Sequence, residues 1–154
     1  MKLFLVQHAK AVSSEVDPDR PLTVEGQRDM QKVAEFIKPL SFAVDNLWHS
    51  GKTRARQTAE ILATVITIEN EMAVHDGLAP NDNVQVIKDS IVSVGRDMMI
   101  VGHLPFMSKL ASLLLTGSES SGTVAFRQGG IVCLSTEGDN KWQIDWMITP
   151  EILA

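Results

Sequence analysis

With a single cysteine, Cys133, this 154-residue chain can form no internal disulfide, and its stability is independent of an oxidising compartment. Positive charge is also scarce. Fourteen Lys and Arg against nineteen Asp and Glu leave a formal charge of −5. That balance argues against a general nucleic-acid binder, although a small local anion pocket remains compatible with it. No apolar run approaches the roughly 18 residues needed to span a bilayer. The apolar opening Leu3-Phe4-Leu5-Val6 is ended by Gln7 and His8, short of the roughly 7–15 residues of a signal-peptide core. The expectation is a cytoplasmic, monomeric protein that keeps its N-terminus and engages neither membrane nor nucleic acid. Repeats, low-complexity tracts and linkers are absent too, so the length fits one domain over residues 1–154. What is present is an ordinary globular composition, 44% hydrophobic and 21% charged.

Strand-like and helix-like segments alternate along the chain. Residues 2–7 form a short apolar run suited to a buried strand, and residues 11–22, with Ser13, Ser14, Asp17, Pro18 and Pro21, read as a loop. Thr23 is placed to cap a helix that runs to about Lys38, where Pro39 stops it. Within it Met30, Val33, Ala34 and Ile37 share one face. A strand is expected over 44–49, then a helix over 53–63 capped by Ser50, then a strand over 65–74. A helix near 82–93, a strand over 97–102 and a helix over 105–116 follow. The remainder, with IVCLS, an EGDN turn and WQIDWMI, predicts two antiparallel strands joined by a hairpin. Trp142 and Trp146, four apart, are expected on one face of the last strand, with Trp48 and Cys133 in the core.

Such alternation indicates an α/β sheet covered on both faces, where ligands sit at the carboxyl ends of the strands. His8, His49 and His103 all fall at predicted strand ends. The segment Ser50-Gly51-Lys52-Thr53-Arg54-Ala55-Arg56-Gln57-Thr58-Ala59 puts Arg54 in the first turn of a helix, whose N-terminus favours anions; Arg56 reads as a solvated helix-face charge. Gly51-Lys52-Thr53 imitates the end of a phosphate-binding P-loop, but the glycine required five residues earlier is Asn46. Three histidines are also enough for a catalytic zinc, yet a zinc site leaves Arg54 unexplained and sets a guanidinium beside a dication.

Taken together, Gln7-His8-Ala9, Ser50 with Arg54-Ala55-Arg56-Gln57-Thr58-Ala59, and Gly102-His103-Leu104-Pro105 resemble the histidine phosphatase superfamily, also called phosphoglycerate mutase-like. The short length and Arg20-Pro21-Leu22-Thr23 point to its SixA-like phosphohistidine phosphatase branch. The resemblance covers essentially the whole chain. It implies a three-layer α/β/α sandwich with a mixed, mainly parallel sheet. It implies that His8 is the nucleophile, that Arg54 and His103 bind the phosphoryl oxygens, and that Gln7, Ser50 and Arg20 complete the phosphate site. No metal or cofactor is implied.

Two features depart from the family pattern. Gln7 stands where the family has arginine, which keeps N–H donors but loses the fixed charge and the bidentate fork. Lys10 and Arg20, on the loop after His8, are candidates to compensate. Ala9 replaces a glycine. A general acid of the kind larger members use has no clear equivalent in His75-Asp76-Gly77-Leu78-Ala79-Pro80, where Asp76 is the nearby carboxylate. Esters benefit from protonation of the departing oxygen, whereas phosphohistidine can release a neutral imidazole. The missing acid therefore favours a phosphohistidine-bearing protein domain, of phosphotransfer or phosphocarrier type, as partner. A non-catalytic phosphate- or phosphoprotein-binding module and a small-molecule phosphomonoesterase are the alternatives.

Overall fold

In the computed structural model, which describes residues 1–154, six strands form one sheet. They are β1 (Lys2–Gln7), β2 (Ala43–His49), β3 (Thr67–Val74), β4 (Met98–Gly102), β5 (Ile131–Thr136) and β6 (Trp142–Ile148). Their spatial order is β3-β2-β4-β1-β5-β6. The first four strands pair in parallel, β5 runs antiparallel to β1, and β6 runs antiparallel to β5. Four helices, α1 (Val24–Ile37), α2 (Thr53–Ala63), α3 (Val84–Val94) and α4 (Phe106–Thr116), cover the two faces. None of them is long and apolar enough to cross a membrane.

Strand alternation explains why the sheet has two cores. Phe4 and Val6 point to the face where Met30, Val33 and Ile37 of α1 meet Ala55, Ala59 and Leu62 of α2. Leu3 and Leu5 point to the other, against Ile87 and Ile91 of α3 and Phe106 and Leu110 of α4. Because β1 is covered on both sides, its sequence is a continuous apolar run and not an alternating one. Each fully buried Leu, Ile or Met contributes about 1.5–3 kcal/mol relative to exposure. The result is the three-layer α/β/α sandwich with a mixed, mainly parallel sheet.

Local chemistry sets the element ends. Thr23 caps α1 as expected, its Oγ1 accepting from the Gly26 N–H at 2.9 Å. A side chain at Gly26 would collide with the Lys10 carbonyl, which accepts from the Thr23 N–H at 2.9 Å. That bond, with Val12 N–H donating to Pro21 O at 2.9 Å and the Ala11–Leu22 bridge, closes residues 11–22 into a loop pinned at its base.

As expected, α1 ends before Pro39, at Ile37, and a separate 3-10 turn, Lys38–Leu40, takes Pro39 in its first turn, where its missing N–H costs nothing. Two expectations need correction. Ser50 does not cap α2; Lys52 occupies that position without a side-chain cap bond. Trp142 and Trp146 do not share a face. Cys133 pairs with Trp146 while Leu134 pairs with Ile144, so an extra residue bulges at Asp145 and reverses the alternation. Trp142 thereby joins the core under α3 and α4, and Trp146 packs against the opposite core beside Phe4, ring centroids 6.0 Å apart.

Candidate active site

His8 follows β1, and its backbone N–H donates to Gly102 O at 3.0 Å, locking it to the end of the neighbouring β4. Its side-chain Nδ1–H donates to the Ala9 carbonyl at 2.7 Å. A carbonyl can only accept, so Nδ1 carries the ring hydrogen and Nε2 keeps its lone pair. The His103 ring lies beside it, centroids 5.1 Å apart and planes inclined by 54°. Both histidines are buried. Burial, against the opposing effect of the Ala9 bond and helped by Arg54 and Arg20, pushes the His8 pKa down to about 4. Burial, then Arg54, His8, Lys52 and Arg20, pushes His103 down to about 3. Two neutral imidazoles therefore face each other at pH 7.

Cations surround them. Arg54 enters from the first turn of α2, with its Nε buried and unpartnered. Burial and the neighbouring Arg20 lower its pKa, but a guanidinium stays charged throughout the physiological range. Arg20 reaches the site from the 11–22 loop through a left-handed backbone, φ 48°, with its Nε donating to Val12 O at 3.0 Å. A non-glycine residue at such a φ is uncommon and is held there by its surroundings. Lys52, part of the Gly51-Lys52-Thr53 segment that only imitates a P-loop, also acts on His103 from the start of α2; its signal in the sequence is its place two residues from both Ser50 and Arg54. Arg20, Lys52 and Arg54 have no carboxylate partner, so no neighbouring anion neutralises them at the site. In a chain of net charge −5, three unpaired cations around two neutral imidazoles make a site for an oxyanion.

The remaining candidates divide. Gln7 is buried next to His8, and its side-chain Oε1 has no hydrogen-bond partner. Its backbone carbonyl accepts from Gly129 N–H at 3.0 Å, so the 117–130 loop closes against the end of β1. Ser50 Oγ shares a 2.6 Å hydrogen bond with His103 Nε2. Lys10 is drawn away to Glu25 at 2.7 Å on the exposed surface, whereas the charge of Arg20, on the same loop, acts on His8. Asp76 is exposed, and its backbone carbonyl accepts from His75 Nδ1–H at 2.6 Å. His49 turns its Nδ1 to the Gly51 N–H at 3.1 Å, and no three His, Cys, Asp or Glu side chains gather at metal-binding spacing. Trp48 is buried as expected and also stacks on His75 at 4.0 Å.

The Arg-Ala-x-Gln-Thr-Ala motif has structural as well as electrostatic content. Ala55 and Ala59 are fully buried, which lets α2 lie close to the sheet. Gln57 Oε1 accepts from Leu22 N–H at 2.8 Å, and Thr58 Oγ1 accepts from Ala9 N–H at 3.1 Å. The helix that carries Arg54 thus also holds the Arg20 loop and the residue after His8. Ala9 itself avoids the left-handed region, so alanine fits where the family has glycine.

Comparison with known proteins shows what the chain and its fold are similar to. The sequence profile of the histidine phosphatase superfamily (branch 1) matches residues 3–80. An uncharacterized protein of Picosynechococcus is 28% identical over 141 residues, 87% of this chain and 84% of that one. The phosphohistidine phosphatase SixA of Escherichia coli strain K12 is 21% identical over 155 residues, 97% of this chain and 94% of that one. A solved structure of the protein histidine phosphatase SixA complexed with tungstate superposes with a TM-score of 0.85 at 21% identity, covering 97% of each chain. At that identity the likeness is one of fold.

Proposed function

The chain belongs to the histidine phosphatase superfamily, branch 1, and on that premise we propose that it hydrolyses phosphohistidine on a partner protein through a phosphorylated His8. The observation that carries this reading is the His8 Nδ1–H bond to Ala9 O at 2.7 Å, which leaves Nε2 as the unprotonated nitrogen. A neutral imidazole needs no separate base to attack phosphorus. The likeness in fold to SixA over 97% of both chains supports the substrate class.

In the first half-reaction Nε2 of His8 attacks phosphorus in line. The new P–N bond forms as the P–N bond to the substrate imidazole breaks. That imidazole leaves neutral, because its distal nitrogen already carries a proton. Arg54, Arg20 and His103 hold the three equatorial oxygens, where positioning and charge account for most of the catalysis. In the second half-reaction water attacks phosphorus, the bond to Nε2 breaks, and both water protons leave on inorganic phosphate. His8 is regenerated with Nδ1 still bonded to Ala9. The partner that fits is a phosphotransfer or phosphocarrier domain, and the setting that fits is a cytoplasmic signalling or transport relay.

A second reading is favoured by one observation. Gln7 brings a buried, unpartnered carbonyl oxygen to the place where the family has a guanidinium, which suits a site that binds phosphate without turning it over. Phosphate release from a phosphohistidyl phosphocarrier protein and from p-nitrophenyl phosphate, with His8→Ala as control, separates the readings. Release from the phosphoprotein, lost in the variant, is expected. Release from the ester alone identifies a small-molecule phosphomonoesterase. Release from neither, with oxyanion binding retained, identifies a binding module.

A further inference from the structure

A neutral imidazole has one N–H and one lone pair, and its partners decide which nitrogen carries which. His103 is 1% exposed, and burial among Arg54, His8, Lys52 and Arg20 keeps it neutral at pH 7. Its Nε2 lies 2.6 Å from Ser50 Oγ, while its Nδ1 is buried with no partner. Ser50 Oγ also accepts from the Lys52 backbone N–H at 3.3 Å.

From this arrangement we infer that Ser50 is a positioning residue that sets the tautomer of His103. Its hydroxyl donates to Nε2, so that Nδ1 carries the ring hydrogen and offers it to the phosphoryl group. The opposite tautomer fits worse on two counts. With hydrogen on Nε2, the Ser50 hydroxyl hydrogen has no acceptor in the structure. The Nδ1 lone pair is then left buried without a donor, in a site built to receive an anion. With hydrogen on Nδ1, Ser50 donates to one nitrogen and accepts from one amide, and the buried ring acquires a donor that only a ligand can satisfy. A neutral donor prepared before the substrate arrives needs no proton uptake at the moment of transfer. The same bond explains why Ser50 does not cap α2 and moves Ser50 from phosphate ligand to support for one.

The purpose of this device rests on the phosphatase reading; its geometry does not. The test is therefore made first on the unliganded full chain, by two-bond ¹H–¹⁵N spectra of the histidine rings at pH 7. Wild type and Ser50→Thr should show His103 protonated on Nδ1. Ser50→Ala should show it on Nε2 or as a mixture. In turnover, Ser50→Ala should lower kcat by roughly ten-fold or more with KM within about three-fold, and threonine should restore it. His103 protonated on Nε2 in wild type, or an unchanged tautomer in Ser50→Ala, overturns the inference. A Ser50-dependent tautomer in a protein without turnover sustains the inference and removes the phosphatase reading alone.

Discussion

The backbone N–H of Ala9 donates to Thr58 Oγ1 at 3.1 Å, which ties the residue after His8 to the second turn of α2. Thr58 is fully buried, and its own hydroxyl donates to the Arg54 carbonyl at 2.8 Å. One side chain therefore joins the loop that orients His8 to the helix that carries Arg54.

Thr58→Val keeps the volume and removes both bonds, leaving the Ala9 amide buried and unpaired. An orphaned buried donor costs about 1–3 kcal/mol. Urea unfolding should show a lower midpoint with an unchanged slope, and Thr58→Ser should stay close to wild type. An unchanged midpoint in the valine variant would show that Ala9 finds another acceptor.

Oxyanion affinity should follow the unpaired cations. Arg54→Ala should weaken tungstate binding by about 1.5–3 kcal/mol, the range for a charge-assisted contact. Arg20→Ala should weaken it as well. Lys10→Ala should leave it unchanged, because that ammonium is held by Glu25 at 2.7 Å. Calorimetric titration of the three variants checks the order, and a loss at Lys10 matching that at Arg20 would reverse the assignment.

Much of this was legible in the residues. The periodicities gave every strand and helix to within a few positions, since a buried parallel strand and an amphipathic helix are local patterns. His8, Arg54 and His103 were legible because each ends a strand or opens a helix at the carboxyl edge of the sheet. What stayed hidden is non-local. A bulge at Asp145, which decides the face of Trp146, leaves no mark in a four-residue spacing. The choice between Lys10 and Arg20 depends on Glu25 lying near one and a left-handed backbone aiming the other. Ser50 has the composition of a helix cap, and only the arrival of His103, fifty-three residues later, gives its hydroxyl a better partner.

Gln7→Arg should restore the charge that the family pattern has. With Arg20 and Lys52 only partly filling that role, kcat/KM should rise by roughly ten-fold, as about 1.4 kcal/mol of added stabilisation gives. Steady-state kinetics on the phosphohistidyl substrate measures this. A neutral or harmful effect, together with a large loss in Arg20→Ala, would mean that Arg20 already occupies the corner.

Acid should destabilise the fold through the same buried rings. The folded pKa of His8, about 4, lies below the 6.5 of an ordinary exposed imidazole. The unfolded chain thus takes up the proton first, and the stabilisation present above pH 6.5 is lost as pH falls toward 4. For His8 alone the loss is on the order of 2–3 kcal/mol between pH 7 and 4.5. Unfolding free energies at the two pH values should differ by that much less in His8→Gln than in wild type. An equal pH dependence in both would place the ring in contact with solvent.

The most direct measurement is a rapid-quench reaction of the full chain with a ³²P-labelled phosphohistidyl phosphocarrier protein, followed by mapping of the labelled peptide. A transient phosphoryl group on His8, formed and lost at rates that match phosphate release and absent from His8→Ala, is the predicted result. Label on another residue, or phosphate release that persists in His8→Ala, would contradict it.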